Sequence, residues 1–373
     1  MKLGFFTMPL HPPGRDYVQS LKEDREAIIL ADKLGYVEAL VGEHVTDTAE
    51  TVTDCATFLA SLIHSTSRIK LGTGTLNLPN GHPAQLAATV AMLDNMLEGR
   101  FILGISPGGL PSDWEVFENL TADRKEKFVE CINHMIGIWT GEPPYNLRGK
   151  YWNITTEKTL IADIGQGVFL KPYQRPYPPI LVTAVEPFSA GVSEAAKRGW
   201  DPVSANFLLP QWQKSHWGKY VEGCEAVGRP VDAANWRVAK SIFVCDSDQT
   251  AREYGFGSQS PYRFYYEQLG FKLKRAGRIN LFKTHKEQSD DEITTEYILD
   301  KLVISGTVNH VVDQLLALRE FIGDFGTLYY CGMDWVDAAL GKRSMELMAE
   351  EVLPRVNAAI AAGGRHGLAS KVA

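Results

Sequence analysis

Short apolar runs alternate with longer amphipathic segments through the first 140 residues of the chain. Four runs have the length and residue types of buried strands: Lys2–Phe6, Ala39–Val41, Ile69–Thr73 and Phe101–Ile105. Each is followed by a segment with apolar residues at helical spacing: Leu21–Gly35, Asp54–Ser65, Ala84–Met96 and Ala122–Trp139. Four such units predict parallel strands joined by right-handed crossovers, in either an open doubly wound sheet or a closed barrel.

The second half of the chain favours the barrel. Four further apolar runs, each with a helical pattern behind it, are strand candidates: Ile180–Thr183, Pro202–Ser204, Arg237–Val244 and Thr327–Tyr330. Eight strand–helix units make a (β/α)8 TIM barrel, a fold that accepts insertions between its units. We therefore predict an α/β fold with one barrel domain over residues 1–373.

Two segments do not follow the alternation of strands and helices. Segment 142–178 is rich in proline and tyrosine, and segment 252–295 is rich in glycine, tyrosine and charged residues. Long stretches without regular structure inside a barrel are usually functional loops, so we predict a lid or insertion at each. Partly disordered insertions are the alternative. The aromatic residues of the second segment count against it, because disordered segments contain few aromatic residues.

Composition excludes several kinds of partner. The formal net charge is −7, whereas domains that bind nucleic acid are usually basic. No apolar stretch reaches the roughly 18 residues of a membrane helix, and prolines break the N-terminal apolar run too early for a signal peptide. The five cysteines form no CxxC pair, which predicts reduced core thiols and no metal site. Together these features predict a cytoplasmic protein that binds neither nucleic acid nor membrane.

Polar residues and glycines follow several predicted strands, at the barrel end where active sites are built. His44 lies directly after the second strand. Histidine titrates near neutral pH and suits proton transfer, which makes His44 the best catalytic candidate. A structural histidine is the alternative, and the neighbouring Glu43 either orients it or faces away. His82 precedes a proline that opens the third helix, which favours a structural or pocket-wall role.

The third and fourth strand ends carry glycines that permit close backbone approach to a flat or anionic ligand. There is no GxGxxG after the first strand, no GxxxxGK[ST] and no HExxH. Their absence counts against a dinucleotide fold, a P-loop and a zinc site. Segment 184–189 runs into a predicted helix, and backbone N–H groups at a helix N-terminus favour a phosphate. Arg124, near the start of the fourth helix, either adds charge to such a site or is a surface arginine.

These strand ends together resemble those of the bacterial luciferase-like flavin monooxygenases. Four stretches carry the resemblance, in order and at the right separations: Gly42–His44, Gly72–Pro83, Glu98–Gly108 and Arg343–Pro354. The resemblance covers nearly the whole chain and is densest over residues 1–140. The opening Thr7–Pro13 stretch is most similar to limonene-type monooxygenase members.

The resemblance implies a barrel that uses reduced FMN, supplied by a separate NAD(P)H-dependent flavin reductase, and a homodimer. It places His44 beside the flavin ring, where it supports formation or use of the C4a-peroxide. It also implies a bulge at Gly74–Thr75, often with a cis peptide bond. Eight residues match positions that line the flavin or hold its phosphate: Gly74, Thr75, Asn77, Ser106, Gly108, Arg124, Val185 and Ser189. Four are expected at the substrate pocket: Met8, His11, Glu43 and His82.

The implied reaction inserts one atom of molecular oxygen into a small, largely apolar organic molecule, such as a terpene, ketone or heterocycle. A closed site that excludes water protects the reactive species from side reactions. Three alternatives remain at this point. They are a deazaflavin-dependent hydride-transfer oxidoreductase of the same superfamily, a non-catalytic flavin-binding protein, and a sugar-phosphate enzyme on the same barrel.

Overall fold

The computed structural model describes residues 1–363. Its strands are β1 Lys2–Thr7, β2 Glu38–Val41, β3 Lys70–Thr73, β4 Leu76–Asn77, β5 Phe101–Ser106, β6 Asn146–Arg148, β7 Asn153–Thr155, β8 Ile180–Ala184, β9 Asp201–Ser204, β10 Arg237–Cys245, β11 Val303–Thr307 and β12 Thr327–Cys331. Its α-helices are α1 Tyr17–Lys33, α2 Cys55–Ala60, α3 Pro83–Met96, α4 Pro111–Val116, α5 Arg124–Thr140, α6 Ala190–Lys197, α7 Pro210–Ala226, α8 Asp248–Phe256, α9 Pro261–Arg275, α10 Thr295–Leu302, α11 Val308–Ile322, α12 Ala338–Leu347 and α13 Leu353–Ala362.

All eight strands expected from the apolar runs are present. In the parallel sheet they follow one another as β1, β2, β3, β5, β8, β9, β10 and β12, which is the strand order of a (β/α)8 barrel. The predicted fold class is therefore confirmed. By internal contacts the chain divides into two compact units, Leu40–Leu181 and the remainder, and the divisions fall inside β2 and β8. A single domain over the whole chain stays a prediction.

In the unit that comprises Met1–Ala39 and the chain from Val182 onward, β9, β10, β12 and β1 are parallel neighbours. The long strand β10 pairs with β12 over its first half and with the additional strand β11 over its second half. A buried ion pair joins the Nε of Arg237 to Glu38 Oε1 at 2.7 Å. The hydroxyl of Tyr329 donates to the same oxygen at 2.8 Å, so the pair is well supplied with hydrogen bonds.

In the unit Leu40–Leu181, β3 and β4 pair in parallel with β5. Glycine is required at position 104, because a Cβ there would lie 2.1 Å from the carbonyl oxygen of Thr73. Helix α5 starts where Asp123 accepts a hydrogen bond from the backbone N–H of Glu126 at 3.0 Å, as an N-cap does. Its buried residues recur at helical spacing: Cys131, Ile132, His134, Met135, Ile138 and Trp139.

The two inserted segments differ in structure. Segment 142–178 contains the two-stranded antiparallel hairpin β6–β7 and a three-residue 3-10 helix, Ala162–Ile164, and is otherwise irregular, as expected. The expectation that segment 252–295 lacks regular structure is wrong, because it includes the 15-residue helix α9. Ser260 is the N-cap of this helix, and its hydroxyl accepts from two backbone N–H groups, while Pro261 occupies the first helical position. A lid role for either segment stays a prediction.

All five cysteines are buried and unpaired, in agreement with the prediction of reduced core thiols. Within residues 1–363, no helix combines the length and the apolar character that crossing a bilayer requires.

Candidate active site

Four of the residues expected to line a flavin lie together at the ends of β4 and β5. Ser106 Oγ donates to Asn77 Oδ1 at 2.8 Å and lies 2.7 Å from Thr75 Oγ1. The backbone N–H of Gly108 donates to Ser106 Oγ at 3.0 Å. We call Thr75, Asn77, Ser106 and Gly108 the strand-end cluster. The preceding Gly74–Thr75 peptide bond is cis, as the family resemblance implies.

Glu43 anchors this cluster to the second strand end. One carboxylate oxygen accepts from the backbone N–H of Asn77 at 3.1 Å, and the other accepts from the N–H of Cys55 at 3.0 Å. The amide of Asn77 in turn donates to the carbonyl oxygen of Glu43 at 3.2 Å. Burial raises the pKa of the Glu43 carboxyl, although these backbone hydrogen bonds oppose the rise. Both carboxylate oxygens of Glu43 are thus engaged by backbone N–H groups of Cys55 and Asn77.

His44 lies between two other carboxylates. Its Nδ1 lies 2.9 Å from Asp113 Oδ2, and its Nε2 lies 3.4 Å from Glu50 Oε2. The imidazole is 13% exposed, so one edge stays accessible while most of the ring is packed. Because Asp113 is an acceptor, Nδ1 carries the proton toward it, and Nε2 is the atom at which His44 can exchange a proton.

Asp113 also organises the loop that carries His44. It accepts from the backbone N–H groups of Val45 and Thr46 at 3.2 and 3.0 Å, and from the Thr46 hydroxyl at 2.5 Å. Burial opposes ionisation of Asp113, but the hydrogen bonds from His44 and Thr46 outweigh it and lower the pKa of the carboxyl. A carboxylate with this many donors stays charged and fixes the orientation of the imidazole.

The indole of Trp114 lies beside the strand-end cluster. The guanidinium of Arg124 stacks over this ring at 3.4 Å from its centroid. A Cβ on Gly108, whose φ is +83°, would lie 3.3 Å from Trp114 Nε1. That indole nitrogen is buried and has no hydrogen-bond partner among the described residues. Since buried donors are rarely left without an acceptor, the group is suited to a ligand oxygen or nitrogen.

His82 caps helix α3 rather than joining the cluster. Its Nδ1 accepts from the backbone N–H of Ala84 at 3.2 Å, and Pro83 occupies the first helical position. The ring is exposed and meets Trp152 edge to face at a centroid distance of 6.5 Å. His82 therefore has the structural role of a helix cap, and its pocket-wall role stays a prediction.

His11, in the other unit, is buried in an ion network. Its Nδ1 lies 2.5 Å from Asp334 Oδ1, and its Nε2 lies 3.2 Å from Asp24 Oδ2. Arg15 pairs with both Asp334 and Glu23. The side chain of His11 is 1% exposed and both ring nitrogens are bonded. The expected contact of His11 with substrate therefore has no support from its surroundings.

Val185 and Ser189 follow β8, and Ser189 is the N-cap of helix α6. The Ser189 hydroxyl makes no capping hydrogen bond, so the first-turn N–H groups of α6 receive no acceptor from it. The preceding Phe188 has φ +52° and its N–H donates to Ser215 Oγ at 2.8 Å. The predicted helix after this strand end is confirmed, while its use as a phosphate site stays a prediction.

Sequence reasoning missed Asp113, Glu50 and Trp114. Asp113 and Trp114 lie in helix α4, whose Pro111 at the first position and acidic residue in the first turn are a helix-start signal. That signal locates the helix but not its partner, because His44 and Asp113 are 69 positions apart. A pairing over such a distance leaves no periodic trace in one sequence.

Comparisons with known proteins define the class. The model of the luciferase-like monooxygenase family matches residues 1–324. The 4-hydroxyprotoasukamycin monooxygenase of Streptomyces nodosus subsp. asukaensis is 30% identical over 371 residues, covering 96% of this chain and 93% of that protein. Limonene 1,2-monooxygenase of Rhodococcus erythropolis is 27% identical over 359 residues, covering 95% and 86%.

A solved structure of high similarity is the oxygenating constituent of 3,6-diketocamphane monooxygenase from Pseudomonas putida, a type II Baeyer–Villiger monooxygenase in complex with FMN. It matches with a TM-score of 0.86 at 26% identity, and the match covers 95% of this chain and 98% of that one. The chain belongs to the luciferase-like monooxygenase family. The predictions of this family and of a flavin-dependent monooxygenase are confirmed.

The residues of the unit Leu40–Leu181 fit a flavin. They offer hydroxyl and amide groups at the strand-end cluster, an indole N–H without an acceptor, and a guanidinium beside it. Flat heteroaromatic rings and phosphates require donors of these kinds.

Proposed function

We propose that the protein is the oxygenase of a two-component system that uses reduced FMN and molecular oxygen. Its substrate is a small, largely apolar organic molecule, a terpene, ketone or heterocycle, into which one oxygen atom is inserted. The observation that carries this proposal is His44, bracketed by two carboxylates and joined through Glu43 to the strand-end cluster. The limonene and diketocamphane names of its relatives support the substrate class.

The strand-end cluster and Trp114 bind and orient the cofactor in this proposal. Ser106, Thr75 and Asn77 bond to one another, so their positions are set before a ligand arrives. Trp114 donates its N–H to the flavin, and Arg124 supplies positive charge for the phosphate. Val185 and Ser189 remain predicted phosphate contacts. When bound, reduced FMN supplies the electrons with which oxygen is activated.

His44 handles the proton. Asp113 holds Nδ1 and leaves Nε2 to give or take a proton, and Glu50 lies 3.4 Å from that nitrogen. Glu50 is thus the acidic side chain next to the nitrogen at which His44 gives or takes the proton. The reaction atoms must be shielded from water for oxygen transfer to succeed, a task we assign to the inserted segment 142–178.

A flavin reductase is the proposed partner. The family resemblance supports it, since it implies that reduced FMN comes from a separate NAD(P)H-dependent flavin reductase. We also propose a homodimer, which mass measurement in solution tests directly.

Anaerobic titration with reduced FMN, oxidised FMN and a reduced deazaflavin tests the proposal, with tryptophan fluorescence as the readout. We expect preferred binding of reduced FMN, and altered kinetics of flavin reoxidation when the complex is mixed with oxygen. The variant His44→Ala should keep the flavin affinity but release more hydrogen peroxide per flavin oxidised. His64→Ala, at an exposed histidine, is the matched control.

Two results contradict the proposal. Binding of the deazaflavin with no binding of FMN assigns the protein to hydride transfer. Unchanged reoxidation and peroxide release in His44→Ala removes the role given to His44, even if FMN binds as expected.

A further inference from the structure

Large apolar side chains are exposed on two parts of the unit Leu40–Leu181. Helix α3 exposes Met92 and Met96, and the inserted segment 142–178 exposes Leu170 and Tyr173. We call these four residues the apolar face. Leu170 is 85% exposed, although leucine is a residue that folded proteins usually bury. Single apolar residues on a surface are ordinary, but a contiguous group of them marks a binding surface.

Hydrogen bonds fasten the inserted segment to helix α3 and make the apolar face continuous. Asn95 Nδ2 donates to the carbonyl oxygen of Lys171 at 3.0 Å, and the backbone N–H of Gln174 donates to Asp94 Oδ2 at 2.8 Å. Every residue of the apolar face lies within three positions of one of these bonded residues. The segment therefore runs along the C-terminal half of α3, and the exposed side chains of the two parts adjoin.

The outer side of helix α3 carries no charge. Its exposed positions are Gln85, Ala88, Met92, Asn95 and Met96. Asp94 is the one charged residue of the helix, and it is buried. A helix at a protein surface normally has charged residues on its outer side, whereas a helix that is apolar all round is normally covered by protein. The outer side of α3 thus has the composition of a covered surface.

The charges around the apolar face favour a second copy of the chain as its partner. Lys171 directs its amine away from the face, to the carbonyl oxygen of Ile138 at 2.7 Å. Glu98 and Arg175, which have opposite signs, are exposed at the border of the face. A two-fold contact sets a surface against itself, so its centre must be free of like charges, and opposite charges at the border can meet across the axis. A membrane surface would require mainly basic residues beside the apolar ones.

The size of the apolar face is sufficient for a dimer interface. Each of its four side chains exposes about half of its surface or more. Side chains of about 200 Å² then offer roughly 500 Å² of apolar area on each copy. A standard interface buries about 800 Å² on each partner, of which roughly 60% is apolar. The face therefore supplies the apolar part of one half of a symmetric interface.

We propose that a second copy of this chain docks on the apolar face, and that the inserted segment serves as a dimerisation element through Leu170 and Tyr173. This inference rests on the homodimer of the proposed function and names the surface that forms it. The hairpin β6–β7 of the same segment, Asn146–Thr155, lies outside the apolar face. Docking through Leu170 therefore leaves the hairpin available for shielding the site from water.

Sedimentation equilibrium over a range of protein concentrations tests the proposal without requiring turnover. The native protein should have twice the mass of one chain. Leu170→Glu and Met92→Glu should each raise the Kd of the dimer about 100-fold or more, because each brings two like charges into an apolar contact. Phe271→Glu is the matched control, since Phe271 is 66% exposed on helix α9, outside the apolar face, and its replacement should leave the mass unchanged.

Three outcomes overturn the inference: a monomeric native protein, variants of the apolar face that remain dimeric, and flotation of the native protein but not of Leu170→Glu with vesicles of phosphatidylcholine and phosphatidylserine. Far-ultraviolet circular dichroism of both variants should match that of the native protein, because both side chains are exposed in the single chain. Reduced-FMN titration of the same samples tests the oxygenase proposal separately. A native dimer that binds no flavin contradicts that proposal alone, and dimeric variants that bind flavin contradict this inference alone.

Discussion

Replacing His11 with glutamine should remove about 3 kcal/mol from the free energy of unfolding near pH 6, and almost nothing near pH 10. His11 is buried and bonded through both ring nitrogens, to Asp334 at 2.5 Å and to Asp24 at 3.2 Å. Burial alone lowers the pKa of the imidazole, but these two carboxylates outweigh it and raise the pKa to about 9. Glutamine keeps a donor but cannot carry the charge.

The size of this change in unfolding free energy, and its direction with pH, follow from the difference between the pKa of His11 in the folded and unfolded states. A rise from 6.5 to about 9, at 1.36 kcal/mol for each pKa unit, corresponds to about 3 kcal/mol. A group whose folded-state pKa is raised stabilises the fold fully below its unfolded pKa, and loses this contribution as pH rises through the folded value. The pKa of Asp24 is raised as well, because burial of its carboxyl outweighs the hydrogen bond from His11. His11 contacts two carboxylates, so its own pKa sets the size of the effect.

Urea denaturation of the native protein and of His11→Gln measures the effect across the range from about pH 6 to about pH 10. The difference between the two free energies should shrink steadily with rising pH. His64→Gln, at an exposed histidine, is the control and should match the native protein throughout. A difference that stays constant or grows toward pH 10 would refute the argument that a protonated His11 is what the network stabilises.

Three further substitutions probe other parts of the molecule. Asp113→Asn should slow the His44-dependent reoxidation of bound flavin about tenfold to 100-fold, because one charge-assisted hydrogen bond contributes about 1.5–3 kcal/mol. The flavin affinity, measured by fluorescence titration, should stay the same. Gly108→Ala should weaken flavin binding and lower the free energy of unfolding by about 1–2 kcal/mol, because the φ of Gly108 is +83° and the added Cβ would lie 3.3 Å from Trp114. Flavin titration measures the first effect, and melting followed by circular dichroism measures the second. Tyr329→Phe should lower the free energy of unfolding in urea by about 1–3 kcal/mol, because the hydroxyl that donates to the buried carboxylate of Glu38 is lost. An unchanged urea midpoint would contradict this prediction.

The strands and the core of the site were predictable because each depends on local pattern. Apolar runs located all eight barrel strands, and the position directly after the second strand pointed to His44. The residues of the strand-end cluster were expected from the family resemblance. The partners of His44 were not predictable, because Asp113 and Glu50 reach it through the fold rather than through a spacing in the chain.

The wrong expectation for segment 252–295 shows how a local signal was misjudged. Its glycines and charges suggested irregular structure, yet Tyr262, Tyr265 and Tyr266 stand at helical spacing and are all buried in helix α9. The start of that helix was also marked, by the Ser260–Pro261 pair. Because the Tyr262 hydroxyl bonds to the carbonyl oxygen of Ile242 and that of Tyr266 to a serine of the same strand, α9 is fastened to β10. A segment held by buried hydrogen bonds opens at a higher cost than a surface loop. We therefore expect any gating motion in segment 142–178 rather than in α9, and hydrogen exchange of the α9 amides at core-like rates would bear this out.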